Sequence, residues 1–489
     1  MFYELVIFLI KNILTTKNSQ ILLHNLFKAF FLLSTIIKSV KRGKMITTIR
    51  NFANQFLNET ENKKILVIGH FDTDGITSTA IFSKTLKRLE RQFTTKILKQ
   101  LTDKEIDSIS KDEIVVFIDL GSGSIEKLSK LKNTIFIIDH HEISINNLNK
   151  NNIHILNPQL LKEKFELCSA ELSYLISKEI SEDNKDLAYL SILGMVGDTM
   201  EKDINKIRNQ IIKDAEVKVK KGILIYPSTR PLDKALEFSS RPFIPSITGN
   251  RENILELLKE ASIGKSGKSY KALIDLTDYE MKNFVTALML RMSSEEVSEY
   301  IGNLFLVKFF NKIEDARELS AIINACGRMD YPSTALLLCL GNTKARKKAE
   351  RIYVQYRQNI ISGLKYIENN RNIEGSGYVI INAKNNVKDT IIGTLASILS
   401  FSSVYKKGKI IIAMAYNEDK IKVSARMVGR NKNSSRNLRN FLESIINTLG
   451  SRGEFGGHKH AAGCTINIGD EERFIDLVKR KLEFELVRV

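Results

Sequence analysis

Between residues 64 and 142, short apolar runs alternate with stretches that have the period of helices. The apolar runs are KILVIGH, EIVVFIDLG and TIFIIDHHE, and the stretches between them are TSTAIFSKTLKRLERQ and SIEKLSKLKN. Short unbroken apolar runs between helices are typical of buried parallel strands. The pattern therefore predicts an α/β fold with a parallel sheet in this part of the chain.

The pattern changes twice further along the chain. Two helices are predicted over 165–200, whereas residues 217–250 contain four of the six prolines and predict a long irregular loop. Residues 251–370 have a mostly helical period. From residue 377 onward, the strand-like runs YVIINA, KIIIAMAYNE and KIKVSARMV alternate with helices. This return of strands predicts a second, smaller α/β domain.

The length of 489 residues exceeds what one hydrophobic core organises. We therefore divide the chain into an N-terminal extension (1–44), a catalytic domain (45–215), a mostly helical insertion and linker (216–365) and a substrate-binding domain (366–489). Three lysines interrupt the apolar runs of residues 1–44, which are shorter than a membrane span of ~18 residues. We interpret this extension either as non-native, with Met45 as the start, or as an amphipathic helix, so no stable membrane insertion and a cytoplasmic location are expected.

The composition is that of a globular protein with a basic balance. The 74 Lys and Arg residues outnumber the 56 Asp and Glu residues, which leaves a formal charge of +18. This charge suits a polyanionic partner such as nucleic acid. However, Lys is abundant throughout the chain, so the charge alone does not decide between a nucleic-acid partner and a biased composition. The four cysteines lie far apart without a CxxC pair, which indicates reduced core residues rather than a zinc site.

Ionisable residues follow each predicted strand. They are HFDTDG at 70–75, Asp119, DHH at 139–141 and, after the predicted helices, Asp198. Because the carboxyl ends of parallel strands meet at one edge of a sheet, these side chains are expected to lie together. Carboxylates gathered there would repel one another unless a divalent cation neutralised them. Mixed nitrogen and oxygen ligands favour Mn²⁺, with Mg²⁺ as the alternative.

Each of these pieces has a simpler interpretation when it is taken alone. An Asp at a strand end is usually a helix cap, and HxDxDG resembles a calcium-loop turn. However, five of the seven histidines lie within the motif segments, which favours a functional site. Two ions bridged by one carboxylate would suit the hydrolysis of a phosphoester.

The motifs resemble those of a known family. HFDTDGITS, FIDLG, IIDHHE and GMVGDTM are similar, in order and spacing, to the four motifs of the DHH phosphoesterases, and GEFGGHKHAAG is similar to the GGH motif of their DHHA1 domain. The resemblance spans about 62–200 and 375–470. It implies a parallel-sheet DHH domain, a helical insertion and a smaller α/β DHHA1 domain, with the active site in the cleft between the domains.

The resemblance also implies roles for individual residues. One metal site would consist of His70, Asp72 and Asp119, and the other of Asp74, Asp119, His140 and Asp198. Asp139 would orient a ligand imidazole, and His141 would face the scissile phosphate, either to stabilise charge or to donate a proton.

The DHHA1 motif implies a phosphate site in the C-terminal domain. Gly456, Gly457 and His458 would grip a phosphate, although the glycines alone are also typical of a turn. Arg426 would pair with a nucleotide phosphate, with help from Ser424; the alternative is a strand-edge cation.

The NACGR segment and two basic runs are further candidates for the nucleic-acid path. We expect Asn324, Gly327 and Arg328 to line it, with a glycine-capped helix end as the alternative. The runs TKARKKAER and GRNKNSSRNLR track a phosphate backbone or form solvated helix faces.

The long insertion distinguishes the chain from the shorter members of the family, and two stretches, TRPLDKALEFSSRPFIPSITG and AIINACGRMDYPSTALLLCLG, resemble the corresponding stretches of archaeal RecJ-like proteins. This resemblance implies a two-metal exonuclease of DNA repair and replication that degrades single-stranded DNA 5′→3′, with RNA as a further substrate. The alternatives are a nanoRNase that also cleaves 3′-phosphoadenosine phosphate, and a scaffold of the replication machinery associated with a GINS-like complex.

Overall fold

The computed structural model of the protein describes residues 45–143, 152–161, 166–239, 242, 244, 246–292, 294–402, 404–429, 436–450 and 455–487. Our interpretation of residues 1–44 lies outside this part of the chain. Within the described part, no helix is both long enough and apolar enough to cross a membrane.

A five-stranded parallel sheet forms the centre of the N-terminal domain. Its strand order is β2-β1-β3-β4-β5. The strands are β1 (Ile65–His70), β2 (Phe93–Leu98), β3 (Ile114–Ile118), β4 (Ile135–Ile138) and β5 (Ile153–Leu156). The three predicted strands are confirmed, and β3 and β4 are completely buried. The two strands that the pattern missed, β2 and β5, lie at the edges, where partial exposure makes the apolar run weaker.

Helices cover this sheet. They are α1 (45–59), α2 (Thr73–Arg88), α3 (Asp103–Asp107), α4 (Ile125–Leu128), α5 (Ser169–Ile180), α6 (Ala188–Gly197) and α7 (Lys206–Asp214). The side chain of Asp72 caps α2 by accepting a 3.0 Å hydrogen bond from the backbone N–H of Gly75. The two helices predicted over 165–200 are confirmed as α5 and α6.

The insertion contains a small sheet that the sequence pattern did not predict. The strand order of this sheet is β10-β9-β6. The elements of the insertion are β6 (Lys218–Ile223), α8 (Leu232–Glu237), α9 (Arg251–Glu260), β7 (Lys265–Ser266), β8 (Ser269–Tyr270), α10 (Asp278–Met289), α11 (Ser294–Glu299), β9 (Ile301–Phe309) and β10 (Lys312–Asp315). The prediction of an irregular loop over 217–250 is wrong at β6 and α8. β6 reads KVKKGI, and its lysines hid a strand that pairs antiparallel with β9.

Three helices then lead to the C-terminal domain. They are α12 (Ala316–Arg328), α13 (Pro332–Cys339) and α14 (Thr343–Asn369). The 27 residues of α14 give it a length of about 40 Å. Apolar residues of α2, α12, α14 and the C-terminal domain belong to one continuous core, which joins the walls of the cleft between the domains.

The C-terminal domain is built on a six-stranded mixed sheet of order β11-β12-β13-β14-β16-β15. Its elements are β11 (Ile373–Glu374), β12 (Tyr378–Asn382), α15 (Asp389–Ser400), β13 (Ile410–Asn417), β14 (Lys420–Met427), α16 (Leu438–Leu449), β15 (Phe455–His458), β16 (Ala461–Asn467) and α17 (Glu471–Val487). Only β12 and β13 pair in parallel among these strands. The predicted second α/β domain is confirmed, whereas the residue boundaries of the domains stay a prediction.

Candidate metal centre and interdomain cleft

The polar ends of three neighbouring parallel strands meet at one edge of the first sheet. His70 is the last residue of β1, Asp119 follows β3, and Asp139 follows β4. Because β1, β3 and β4 are adjacent in the sheet, their carboxyl ends bring these residues together as the sequence predicted. Asp74 reaches the same edge from the first turn of α2.

The first group of side chains surrounds His70. Its Nδ1 atom lies 3.0 Å from Oδ2 of Asp72 and 3.3 Å from Oδ2 of Asp119. One ligand-type atom from each of these residues lies within 4.8 Å of those from the other two. A nitrogen and two carboxylate oxygens at this spacing can hold one divalent ion.

The second group surrounds His140. Its Nε2 atom lies 3.2 Å from Oδ2 of Asp198, 3.8 Å from Oδ2 of Asp74 and 3.4 Å from Oδ1 of Asp119. The two oxygens of Asp119 therefore face different groups, since Oδ2 is the atom near His70. One carboxylate between two ligand groups is the arrangement of a bridged pair of ions.

The backbone at Asp119 is held in an unusual conformation. Its φ angle is +60°, in the left-handed region that disfavours residues other than Gly, Asn and Asp. Its N–H donates to the carbonyl of Ile138 at 2.9 Å, and its side chain is 1% exposed. The turn after β3 thus directs the carboxylate between the two groups, in a conformation that aspartate adopts more readily than most residues.

Two buried atoms in the first group are suited to binding a cation. His70 Nδ1 and Asp119 Oδ2 are both inaccessible to solvent, and neither has a hydrogen bond of acceptable geometry to any described residue. Buried polar atoms without partners are rare in folded proteins. A divalent ion between them would satisfy both, so the residues present fit a metal.

The pKa shifts at the site show the repulsion that a cation would relieve. Burial, together with the neighbouring Asp119, raises the pKa of Asp74 to about 7, and burial and Asp74 raise the pKa of Asp198 well above its usual value. Burial also opposes ionisation of Asp119, but the close contacts of its oxygens with the rings of His140 and His70 outweigh it and lower its pKa. Without a cation, burial and mutual repulsion therefore oppose the ionisation of some of these carboxylates.

The N-terminus of α5 holds two of the candidate ligands in place. The backbone N–H groups of Ser169 and Ala170 donate to the two oxygens of Asp74 at 2.7 and 2.9 Å, and the Ser169 hydroxyl donates to Oδ1 of Asp119 at 2.9 Å. Sequence reasoning missed Ser169. The available signal was a serine at the start of a predicted helix, which reads as an ordinary helix-start residue.

A buried ion pair holds the start of α5 in place. Arg208 donates to both oxygens of Glu171 at 2.7 and 2.9 Å, and both side chains are 1% exposed. Glu171 in turn accepts from the N–H of Cys168, and Arg208 donates to the carbonyl of Met200, two residues after Asp198. The pair thus braces two segments that carry metal-site residues, and the sequence pattern did not reveal it.

Asp139 contacts the ring of His141 rather than that of His140. Its Oδ1 lies 2.7 Å from Nδ1 of His141 and accepts the backbone N–H of His140 at 2.8 Å, while Oδ2 accepts the N–H of Ser122 at 3.0 Å. Burial opposes protonation of His141, but the hydrogen bond with Asp139 outweighs it and raises its pKa. His141 lines a cavity of about 400 Å³ together with Asp119, His140 and Asp198.

A second cavity, of about 290 Å³, connects the metal centre with the rest of the cleft. Asp72 and Asp198 line it, as do Arg328 of α12 and Arg426 of β14. The guanidinium of Arg328 lies 5.8 Å from the ring centroid of Phe71.

Gly327 has a packing role. A Cβ atom there would lie 2.0 Å from the carbonyl oxygen of Phe71, so the residue allows α12 to approach the turn after β1. It lies within α12 and does not cap it. Asn324 and Arg328 both line the cavity of the cleft, and their contact with nucleic acid stays a prediction.

The candidate phosphate-binding residues line a third cavity at the edge of the C-terminal sheet. Arg426, Ser424 and Gly457 are among its lining residues. Arg426 donates through Nε to Oγ of Ser397 at 2.9 Å and through one terminal nitrogen to the carbonyl of Ala425 at 2.8 Å. Gly456 is exposed and lies next to Gly457 in β15.

Some predicted substrate contacts lie outside the described part of the chain. The side chain of His458 is one of them, although its backbone pairs with Ala461 in the sheet. Residues 430–435 are others. In the run TKARKKAER, the side chain of Arg346 is 20% exposed and pairs with Glu350 at 3.2 Å and also with Glu314, which favours a structural role for that residue.

Comparison with known proteins assigns the fold to a family. The N-terminal domain of the DHH family matches residues 64–195, the DHHA1 domain matches 376–483, and the DHH-CID domain matches 225–304. The chain belongs to the DHH family. An uncharacterized protein of Methanocaldococcus jannaschii is 26% identical over 448 residues, which cover 87% of this chain and 94% of the relative.

Solved structures show the same fold at low identity. CDC45 from Entamoeba histolytica is similar over 89% of this chain and 98% of its own, with a TM-score of 0.66 and 13% identity. RecJ from Thermus thermophilus in complex with Mn²⁺ is similar over 89% of this chain and 55% of its own, with a TM-score of 0.55 and 15% identity. Exonuclease RecJ bound to manganese is similar over 89% of this chain and 94% of its own, also with a TM-score of 0.55 and 15% identity. The fold of this DHH protein is therefore RecJ-like.

Proposed function

We propose that this DHH protein is a two-metal phosphodiesterase that degrades single-stranded DNA to mononucleotides, 5′→3′, with RNA as a further substrate. The observation that carries the proposal is the position of Asp119. Its Oδ2 lies 3.3 Å from Nδ1 of His70, and its Oδ1 lies 3.4 Å from Nε2 of His140. A scaffold has no physical need for a buried carboxylate between two groups of ligand-type atoms.

The metal ligands follow from the two groups. His70, Asp72 and Asp119 would hold one ion, and Asp74, Asp119, His140 and Asp198 the other. The mixture of imidazole and carboxylate favours Mn²⁺ over Mg²⁺, and the T. thermophilus RecJ was solved in complex with each of these ions. When bound, two such ions supply an activated water and neutralise charge on the phosphoryl oxygens.

His141 is the proposed catalytic residue, and Asp139 is a positioning residue. Because Nδ1 of His141 is directed to the carboxylate of Asp139 at 2.7 Å, that nitrogen carries the proton of the hydrogen bond. The raised pKa of His141 favours protonation of Nε2 as well. A protonated Nε2 beside the cavity stabilises negative charge on a phosphate or donates a proton to a leaving oxygen.

The C-terminal domain would hold the phosphate of the nucleotide. Arg426, Ser424, Gly456, Gly457 and His458 are the residues assigned to this step. Arg426 lines both the cavity beside the metal centre and the one at the edge of the C-terminal sheet, which supports a contact with a substrate that spans them. Arg328 also lines both cavities.

Two other functions have some support. The similarity of the fold to CDC45 is compatible with a scaffold in a replication assembly, with a GINS-like complex as partner. The metal centre is equally compatible with a nanoRNase that acts on very short RNA and on 3′-phosphoadenosine phosphate. The charge of +18 favours a longer polyanion, so we place a cytoplasmic role in DNA repair or replication first.

The direct test is incubation of single-stranded DNA and RNA, labelled at either end, with Mn²⁺. We expect DNA shortening from the 5′ end, and a rate about 10²- to 10³-fold lower for Asp119→Ala, because preorganised charge stabilisation is lost. Asp112→Ala is the matched control, since Asp112 is exposed and precedes the opposite end of the same strand.

The outcomes separate the three functions. Cleavage that needs no metal, or that persists in Asp119→Ala, would contradict the mechanism. Cleavage confined to very short RNA would favour the nanoRNase. A wild-type protein that cleaves nothing would favour the scaffold.

A further inference from the structure

We propose that the cleft contains a distal nucleotide subsite, in which Arg357 and Phe238 hold a phosphate and a base of a single strand beyond the two nucleotides that flank the cleaved bond. The ligand class is single-stranded nucleic acid. The inference rests on the proposed function and extends it to the insertion, to which Phe238 belongs and which contributes none of the metal ligands.

The subsite shares a cavity with the metal centre. Asp198 of the metal centre and Phe238, Tyr353 and Arg357 all line the same space. Tyr353 and Arg357 are four residues apart on α14, so they lie on one face of that helix, and Phe238 follows α8 of the insertion. A strand that leaves the metal centre through this cavity passes between these two elements.

Arg357 is placed to bind an anion. Its guanidinium carbon lies 4.3 Å from the ring centroid of Phe238 and 5.4 Å from that of Tyr353. A guanidinium stacked on rings is held by its faces and keeps its N–H edge for a planar or phosphate partner. Within the described residues, no carboxylate forms an ion pair with it, and the acid nearby, Glu318, is paired with Arg230 at 2.5 Å.

Phe238 is placed to meet a base. Its ring is 39% exposed, and among the described residues it belongs to none of the apolar cores. An exposed ring that packs on an arginine in a polar cavity gains little from folding alone. The π-face of a nucleobase would cover such a ring whatever the sequence of the strand, as occurs in proteins that bind single strands.

The ligand that best fits this pair is a phosphodiester with its base. A free anion would use Arg357 and leave Phe238 without a role. An apolar ligand would use the ring and leave the charge buried against it. A nucleotide uses both, and its position beyond the metal centre means that only strands longer than a dinucleotide reach it.

The test measures binding of labelled oligothymidylates of increasing length to the full chain. Asp119→Ala serves as the background, so that turnover does not interfere. We expect affinity to rise from the dinucleotide to the dodecanucleotide, and this rise to shrink roughly tenfold in Arg357→Ala and in Phe238→Ala. Phe238→Tyr should keep the rise, whereas Arg357→Lys should keep only part of it, because the planar stack is lost.

Two control variants distinguish the proposed contacts from a general loss of positive charge and from a loss of folding. Arg480→Ala removes the same charge from α17, where the arginine is exposed and paired with Asp476, and should leave the length dependence as it is. Phe238→Leu keeps an apolar side chain, and thermal melting verifies that it folds. It should lose the rise to the same extent as Phe238→Ala.

Three results would overturn the subsite. They are a length dependence that survives both substitutions, an equal loss of affinity for the dinucleotide and the dodecanucleotide, and a background protein that binds no strand of any length. Cleavage by the wild-type protein is measured separately. A length-dependent loss in a protein that cleaves nothing would keep the subsite and remove the nuclease.

Discussion

Two regions of the molecule differ in how their charges are held. One is the edge of the first sheet that carries Asp74, Asp119 and Asp139 (the metal edge), and the other is the side of the cleft that carries Arg328 and Arg357 (the arginine side). At the metal edge, the carboxylates of Asp74, Asp119 and Asp139 are each about 1% exposed and each accept hydrogen bonds from the protein. In the cleft, the described contacts of Arg328 and Arg357 are with aromatic rings rather than with carboxylates. An ion needs ligands held in place beforehand, whereas a polymer needs charges whose hydrogen-bonding capacity is still available.

The largest effect on catalysis is expected for a substitution of Asp139, which lies at the metal edge. Asp139→Ala removes the acceptor that orients Nδ1 of His141 and that raises the pKa of its ring. We expect kcat to fall about 10²- to 10⁴-fold, with the alkaline limb of the rate profile, where His141 loses its proton, moving to lower pH. The pH profile distinguishes this from a purely structural defect. A loss of kcat with an unchanged profile would show that Asp139 does not act through His141.

The second-largest effect is expected for the buried ion pair of Arg208 and Glu171. Arg208→Met leaves Glu171 charged and buried without its partner, which costs about 3–5 kcal/mol of the free energy of unfolding. Arg88→Met is the matched control, because Arg88 and its partner Asp186 are 38% and 57% exposed, and such pairs contribute about 0–1 kcal/mol. Urea unfolding measures both. Equal losses in the two variants would contradict the special role of the buried pair.

The substrate side should respond in binding rather than in folding. Arg426→Ala is expected to raise KM about 10- to 100-fold, the equivalent of one charge-assisted hydrogen bond of about 1.5–3 kcal/mol. Arg426→Lys should recover part of this, since it restores the charge without the bidentate geometry. Steady-state kinetics with a short strand measures the effect. A fall in kcat with KM unchanged would place Arg426 among the groups that act only in the transition state.

The smallest effect concerns pH and metal. The folded-state pKa values of Asp74, near 7, and of His70 and His140 lie above their unfolded values, so the metal-free native state binds more protons than the unfolded state. Stability of the metal-free protein should therefore fall as pH rises from about 4 through 7. Mn²⁺ needs deprotonated ligands, so its stabilising effect should grow over the same range. Melting temperatures with Mn²⁺ and with a chelator test this, and a metal-induced shift independent of pH would contradict it.

The sequence revealed what depends on local pattern. Buried parallel strands produce unbroken apolar runs, so β1, β3 and β4 were predictable, and with them the edge at which His70, Asp119 and Asp139 meet. β6 was not, because a half-exposed strand that reads KVKKGI has no apolar run. Its partner β9 begins 83 residues after the start of β6, so only the tertiary fold brings them together.

The parts of the site that sequence missed depend on tertiary contacts. Ser169 and Arg208 are ordinary residues in pattern, and their roles appear only when α5 and α7 pack beside the metal edge. The stack of Phe238 on Arg357 joins residues 119 positions apart. Conversely, the motif residues were identified by resemblance, and the structure adds which oxygen of Asp119 faces which group.

The most direct measurement is anomalous scattering at the manganese edge from crystals of the full chain grown with Mn²⁺. The account predicts two peaks about 3.5–4 Å apart, one beside His70 and one beside His140, with the carboxylate of Asp119 between them. A single peak, or two peaks that Asp119 does not bridge, would contradict it.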